Sequence, residues 1–318
     1  MRVLAANEIE EIALMPELIE ALRSAFCAAP KAPPRQILRV PGGSGERLLL
    51  FMPAFHQDGS GIVKVVTSFP DNAAGTAPTL QGAILAFSKE GTPVALLDGA
   101  MVTRLRTAAA SALASNYLSR ANSEHLLLVG TGALAPYMAL GHCAVRPIRC
   151  ISIWGRDAER AARAATKLRG LLHREVELRL VPSIESAMQT AQIVSCATSS
   201  AAPLLEGKWL RPGTFVDLVG SFSPERRETD DDAVLKSRIF VDTIEGALAE
   251  AGDVLIPMQR GILQRQHIQG DLTDLITGRC QGRRSEYEIT LFKSVGTAIE
   301  DLAAVRLIVA ATGILRPR

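Results

Sequence analysis

The chain has 318 residues, 47% of them hydrophobic and 21% charged, with a formal net charge of +2. That length suits two ordinary domains, and a near-neutral balance with only 4% aromatics offers neither the basic surface nor the stacking platform of a nucleic-acid binder. The cysteines (Cys27, Cys143, Cys150, Cys196, Cys280) form no C-x-x-C pair and the histidines no H-x-x-x-H pair, so neither a disulfide framework nor a metal site is expected. Glu8, Glu10 and Glu11 stand where a signal peptide would need a basic and then an apolar start, which predicts a cytoplasmic protein.

Residues 7–27 carry apolar positions at helical spacing with acids between them, and Pro16 opens a second helix or a new first turn. "APPRQILRVPGGSGERLLLFMPAF" mixes Pro/Gly turns with short apolar runs and predicts strands. "GIVKVVTSF" and "LQGAILAFSKEGTPVALLDG" predict further strands, the latter a hairpin turning at Lys89–Pro93. The alanine-rich run 100–120 is helix-prone. From Glu124 short apolar strands ("LLLV", "CISIW", "VELRLV", "IVSCA", "TFVDLVG", "RIFVDT") alternate with helical stretches, the pattern of a parallel sheet covered on both faces. Within 286–314, "SVGTAIEDLAAVRLIVAATGI" predicts a long helix that packs back on the first domain.

The run from His125 to Pro147 has no acid and no Lys, and Arg146 is its only Arg, so it is apolar enough to raise the question of a membrane span. It breaks at Gly130-Thr131-Gly132-Ala133-Leu134-Ala135, a G-x-G-x-x-A turn directly after four strand-like residues and directly before a helix. There the first glycine permits a tight turn, the second lets backbone approach a pyrophosphate, and the small third residue allows close helix–strand packing. A span would hold two glycines and Pro136 and has no partner segment, so a dinucleotide turn is the reading and no membrane segment is expected. The second strand of this unit ends in "IWGRD". Where an NAD-binding domain places a carboxylate for the ribose diol, this chain has Gly155 and Arg156, and an arginine holds a 2′-phosphate that a carboxylate would repel. NADPH is therefore favoured. Asp157 as a ribose ligand keeps NADH open, and Asp157 as a helix N-cap beside a solvent-facing Arg156 is the plainer reading of the same residues.

Three cations of the first domain sit in apolar settings: Arg35 in "PPRQILRV", Lys64 in "GIVKVVTSFPDN" and Arg106 in "MVTRLRTAAAS". A cation among Ile62, Val63, Val65 and Val66 is costly to bury without an anion. Three of them near a dinucleotide cleft suit a carboxylate substrate, while local ion pairs or snorkelling to water explain them equally well from spacing alone.

The blocks "LFMPAF", "KVVTSFPDN", "PVALLDGAMVTRLRTAAASALASNYL", "LLLVGTGALA", "VSCATSS", "GTFVDLVGSFSPERRE", "VDTIEGALAEAGD" and "SEYEITLFKSVGTAIEDLAA" carry a resemblance. Across nearly its full length the chain resembles the ornithine cyclodeaminase/mu-crystallin family. The resemblance implies an α/β fold, with a Rossmann doubly wound parallel sheet over 121–285 and an α+β substrate-binding and dimerisation domain built from both chain ends, 1–120 and 286–318. It implies a homodimer, carboxylate contacts from Arg35, Lys64 and Arg106, and Asp301 of "AIEDLA" near the active site. It implies a cofactor seated on Gly130, Thr131, Gly132, Ala133, Leu134 and Arg156, with Thr198, Val219 and Gly220 lining it and the nicotinamide near 219–222. Members cyclise ornithine, dehydrogenate alanine or reduce cyclic ketimines, and the mammalian member binds thyroid hormone. One departure separates these. Cyclodeaminases carry an aspartate within a G-G-D-C-P pattern, and here Gly220-Ser221-Phe222-Ser223-Pro224 puts Phe222 in its place. Phenylalanine neither accepts a proton nor holds an ammonium.

The expected activity is therefore reduction of a cyclic imino acid, Δ1-pyrroline-2-carboxylate to L-proline, with the six-membered Δ1-piperideine-2-carboxylate, giving L-pipecolate, as a second substrate. NADPH is the favoured reductant and NADH the alternative. Arg35 and Arg106 clamp the carboxylate, Lys64 adds charge and a proton, and Asp301 stabilises an iminium. An alanine dehydrogenase, an ornithine cyclodeaminase and a non-catalytic ligand binder are the competing readings.

Overall fold

The computed structural model describes residues 1–314 apart from 29, 31, 44 and 76, so the last four positions of the expected substrate domain lie outside it. The chain forms two compact units, Met1–Arg106 with the chain from Thr297, and Thr107–Gly296.

The first unit runs β1 (Arg2–Leu4), α1 (Ala6–Ile12), α2 (Met15–Ala28), β2 (Gln36–Val40), β3 (Arg47–Phe55), β4 (Gly61–Ser68), β5 (Leu80–Phe87), β6 (Pro93–Asp98) and the start of α3 (Gly99–Leu118). Its six strands lie in the order β1-β6-β5-β4-β3-β2, an antiparallel meander from β2 to β6 with β1 added in parallel beside β6. Leu18, Ile19, Leu22 and Phe26 form the buried stripe of α2, as a 3.6-residue period requires. Successive strand residues face opposite sides, so Ile62 and Lys64 of β4 turn to the covered face while Val63 and Val65 stay half-exposed on the other.

The second unit continues with β7 (His125–Val129), α4 (Ala135–Val145), β8 (Cys150–Trp154), α5 (Ala158–Leu171), β9 (Glu177–Leu180), α6 (Ile184–Met188), β10 (Ile193–Cys196), β11 (Phe215–Leu218), α7 (Asp231–Leu235), β12 (Ser237–Val241), α8 (Ile244–Glu250), α9 (Gly252–Gln259), β13 (Ile268–Asp271), α10 (Leu272–Thr277) and β14 (Ile289–Lys293). Eight parallel strands stand in the order β13-β12-β14-β11-β10-β7-β8-β9. The central strands β10 and β11 are mostly apolar and buried on both faces, as a helix-covered parallel sheet demands. Phe215, Phe240 and Phe292 are fully buried there, each worth ~2–3 kcal/mol by the area it removes from water.

Two boundaries differ from the sequence reading. The units divide at 106/107 and 296/297 rather than at 120 and 286. The second half of α3 belongs with the Rossmann unit because a Cβ on Gly141 of α4 would sit only 2.6 Å from the Ala108 carbonyl, so helix backbone meets helix backbone there. Residues 289–293 belong with it because they form β14, wedged between β11 and β12. The last helix, α11 (Ala298–Ala311), begins four residues later than "SVGTAI" suggests. Thr297 caps it, and Asp242 accepts hydrogen bonds from Ser294 Oγ and the Val295 and Gly296 amides, drawing those residues into a turn. α11 packs on α2, β3 and β4, within the first unit as expected. No helix among the described residues is long and apolar enough to cross a membrane; the apolar run from His125 is β7, a glycine turn and α4.

Candidate active site

In the first unit β4 delivers Lys64, α3 delivers Arg106, and the first turn of α11 delivers Glu300 and Asp301. Lys64 is 1% exposed, Arg106 5%, and both acids are fully buried. Lys64 Nζ donates to Asp301 Oδ1 at 2.9 Å, and Arg106 Nε donates to the same oxygen at 3.2 Å. The Arg106 guanidinium also donates to Glu300 Oε2. Burial pushes the Lys64 ammonium down from 10.5 to about 8, with Asp301 opposing the fall and Arg106 and Arg35 adding to it. Burial alone would raise the Asp301 carboxyl, but Lys64 and Arg106 outweigh it and hold the group below the ordinary carboxylate range.

Arg35, half-buried just ahead of β2, is close enough for its charge to be felt by both Lys64 and Asp301. The four residues singled out in the first domain are thus brought together, Lys64 and Asp301 across a sequence gap of 237 residues. Asp301 Oδ2 is buried without a hydrogen-bond partner. Buried cations beside an unused carboxylate acceptor suit an anion that also carries an N–H.

In the second unit the register Val129–Cys196–Leu218 brings β7, β10 and β11 to the same carboxyl edge. The turns after them, with Gly130, Thr198, Val219 and Gly220, therefore emerge side by side, where open α/β sheets bind ligands. Gly130 adopts φ +116°, and a Cβ there would lie 2.6 Å from the Ala197 carbonyl. Its amide donates to the Trp154 carbonyl at 2.9 Å, tying the turn to the end of β8.

Gly132 and Ala133 are exposed, Thr131 and Leu134 half-exposed. A Cβ on Gly132 would meet nothing within 4 Å, so the space before this backbone is open. No side chain caps α4, whose N-cap is Leu134. An open glycine beside a helix start with no side-chain cap fits a pyrophosphate: the helix offers its positive dipole and the glycine offers close approach. Gly155 lies close beside it, a Cβ there standing 2.5 Å from Thr131 Cγ2. Arg156 is exposed beyond β8, and Asp157 caps α5 by accepting from the Arg160 amide at 3.0 Å. Phe222 is 37% exposed on the loop after β11. Among the described residues no group of three His, Cys, Asp or Glu is placed to hold a metal ion.

Sequence reasoning missed a buried network under these turns. Glu228 Oε1 accepts from the Thr198 amide at 2.8 Å and its hydroxyl at 2.9 Å, and Oε2 accepts from the Gly220 amide at 2.7 Å. Asp253 Oδ1 accepts from the Glu228 and Thr229 amides, and Asp253 Oδ2 lies 3.0 Å from Lys293 Nζ. Burial raises the Glu228 carboxyl to about 7 despite the opposing Lys293 charge. In the sequence Glu228 is one acid among many in "SPERRETDDD". The only local hint is that this charged run directly follows an apolar strand and its glycine.

Comparison with known proteins gives a consistent picture. The ornithine cyclodeaminase/mu-crystallin family profile matches residues 1–312. The Δ1-pyrroline-2-carboxylate reductase of Colwellia psychrerythraea is 37% identical over 313 residues, 97% of this chain and 98% of that one. The Thermococcus litoralis Δ1-pyrroline-2-carboxylate reductase, solved with NADH and L-proline, superposes with a TM-score of 0.93 at 34% identity, over 98% of this chain and 97% of that one. An archaeal alanine dehydrogenase dimer with bound NAD superposes at 0.89 with 27% identity, over 98% and 96% of the two chains. This chain belongs to the ornithine cyclodeaminase/mu-crystallin family.

Proposed function

We propose that the protein is an NAD(P)H-dependent ketimine reductase that converts Δ1-pyrroline-2-carboxylate to L-proline and accepts the six-membered Δ1-piperideine-2-carboxylate as a second substrate. The observation that carries the site assignment is the cluster in which Lys64 and Arg106 share Asp301 Oδ1 while Oδ2 is left without a partner. Relatives and a solved structure named for this reaction, at 37% and 34% identity, support the substrate.

Reduction of C=N adds a hydride to carbon and a proton to nitrogen, and bound NAD(P)H supplies the hydride. The protein must therefore hold the carboxylate, keep the nitrogen protonated and keep the faces of the ring in register. Arg106 and Arg35 grip the carboxylate, Arg106 through a fork that Glu300 and Asp301 hold in place. Lys64, lowered to about 8, is protonated at neutral pH yet poised to release its proton, which suits a general acid for the ring nitrogen. Asp301 balances the iminium charge from its free oxygen. Gly130 to Leu134 seat the pyrophosphate, Thr198, Val219 and Gly220 line the nicotinamide, and Arg156 meets the 2′-phosphate of NADPH. With Asp157 occupied as a helix cap, NADPH is the preferred form. The apolar Phe222 suits a closed ring rather than a free amine.

The reading extends to assembly. Leu38, Leu49, Phe51, Pro53, Val63 and Val65 share the half-open face of the first unit's sheet by their register, and Leu38 is 54% exposed. Such a patch is characteristic of an interface, and the related alanine dehydrogenase is a dimer. We therefore expect a homodimer in the cytoplasm, checked by a sedimentation mass of twice the chain.

The deciding experiment mixes purified protein, NADPH or NADH and Δ1-pyrroline-2-carboxylate, and follows loss of reduced-nicotinamide absorbance. Turnover with the imine, and none with ornithine and NAD, is expected. Turnover of ornithine, or of pyruvate with ammonia, in place of the imine would reject the assignment.

A further inference from the structure

The turns after β10 and β11 do not merely lie side by side; one buried carboxylate binds them together. Glu228 takes three hydrogen bonds, two from Thr198 and one from Gly220, at 2.7 to 2.9 Å. The two turns are in backbone contact: a Cβ on Gly220 would lie 2.1 Å from the Thr198 carbonyl oxygen and 2.5 Å from Glu228 Oε1. Thr198 also reaches the phosphate turn, its Cγ2 being 3.1 Å from where a Cβ on Gly130 would stand. Glu228 is itself fixed from behind. Asp253 receives its amide at 2.7 Å, and Lys293 at the end of β14 sits 3.0 Å from the other Asp253 oxygen. All three charged groups are at most 1% exposed.

A hydrophobic residue would fill this space without a desolvation penalty, so three buried ionisable groups need a reason beyond packing. Amides 198 and 220 could have been satisfied by water at an open sheet edge. Instead they are held by an acceptor that admits one geometry.

We infer that Glu228 is a positioning residue: by tying Thr198 to Gly220 it fixes the spacing of the two turns against which the nicotinamide ring lies, and so sets the distance and angle of hydride transfer. Asp253 and Lys293 hold Glu228 in turn. The inference rests on the reading above in which Thr198, Val219 and Gly220 line the cofactor. It separates from that reading because its test reads hydride transfer apart from cofactor binding.

The test is E228Q in the full-length protein. The amide can keep its oxygen on Thr198, but its NH2 group must then face the Gly220 N–H, so one turn is released while the volume is unchanged. Single-turnover hydride transfer from pre-bound NAD(P)H to Δ1-pyrroline-2-carboxylate is expected to slow roughly 10- to 100-fold. The KM for the imine is expected to hold within about twofold, a split that general destabilisation would not produce. T198V, which removes only the hydroxyl donor, is expected to slow the same step by a smaller factor, and decides the matter if E228Q does not fold. Hydride transfer at the wild-type rate in the folded variant, or a rise in imine KM that accounts for the whole loss, overturns the positioning role alone. Failure of the wild-type protein to bind or oxidise NAD(P)H, read by cofactor fluorescence, overturns the role and the reductase reading together.

Discussion

Replacing Lys64 with Met separates catalysis from stability. Met keeps the length and apolar stem of the side chain and removes the ammonium. Two effects then compete. Breaking a buried ion pair normally costs about 3–5 kcal/mol because the remaining charge is stranded. Here it is not stranded, since Arg106 Nε still donates to Asp301 Oδ1 at 3.2 Å. Against that loss stands the cost of burying the ammonium, which lowers its pKa from 10.5 to about 8 even with Asp301 beside it. At ~1.36 kcal/mol per tenfold change in protonation, folding with this charge costs about 3 kcal/mol at neutral pH. The unfolded chain binds the proton up to pH 10.5 and the folded chain only up to about 8. Between these values the unfolded state holds more protons, so the wild-type protein gains stability as pH rises, and below about 8 the full cost is present.

K64M is thus expected to be at least as stable as wild type at pH 7, by up to about 3 kcal/mol, with the gap closing between pH 8 and 10.5. Its kcat/KM for the cyclic imine is expected to fall roughly 100- to 10,000-fold, the range for a lost general acid. Urea unfolding at pH 7 and pH 10, paired with initial rates, measures both. A variant several kcal/mol less stable at pH 7, or one within tenfold of wild-type kcat/KM, would refute the reasoning.

Three further outcomes follow from the same geometry. Gly132→Val adds side-chain atoms where a Cβ meets nothing within 4 Å, so the melting temperature should barely move while NAD(P)H binding weakens by about 100-fold or more, read by cofactor fluorescence. Arg106→Ala should raise the imine KM and lower kcat/KM by roughly 100-fold, and Arg106→Lys should restore little, because the lysine lacks the fork that reaches Glu300 and Asp301 together. Arg156→Ala should raise the KM for NADPH about 10-fold or more and leave that for NADH unchanged; equal effects on both cofactors would remove Arg156 from the 2′-phosphate.

Much of the nucleotide half was legible because its signals are local. A strand, a glycine turn and a helix lie within 21 consecutive residues, 125–145, and the turn's chemistry is backbone chemistry, which follows from where glycine is permitted. Strand β14 was not legible. "ITLFK" is a short apolar run buried on both faces, so it has no alternation, and it abuts a helix-forming stretch. Glu228 was hidden for the opposite reason: it stands among charged neighbours that mark a solvated loop, and the groups that fix it, Asp253 and Lys293, come from other segments.

The chain order of apolar and polar residues was enough to establish a Rossmann unit, its glycine turn and three cations in settings that call for an anion, since each follows from period, turn chemistry or the cost of burying charge. Only folding settled which acids answer those cations. Asp301 reaches Lys64 from 237 residues away, and neither residue carries a mark of the other. Ion pairing in a low-dielectric interior depends on distance in space, and distance in space is what a linear pattern does not contain.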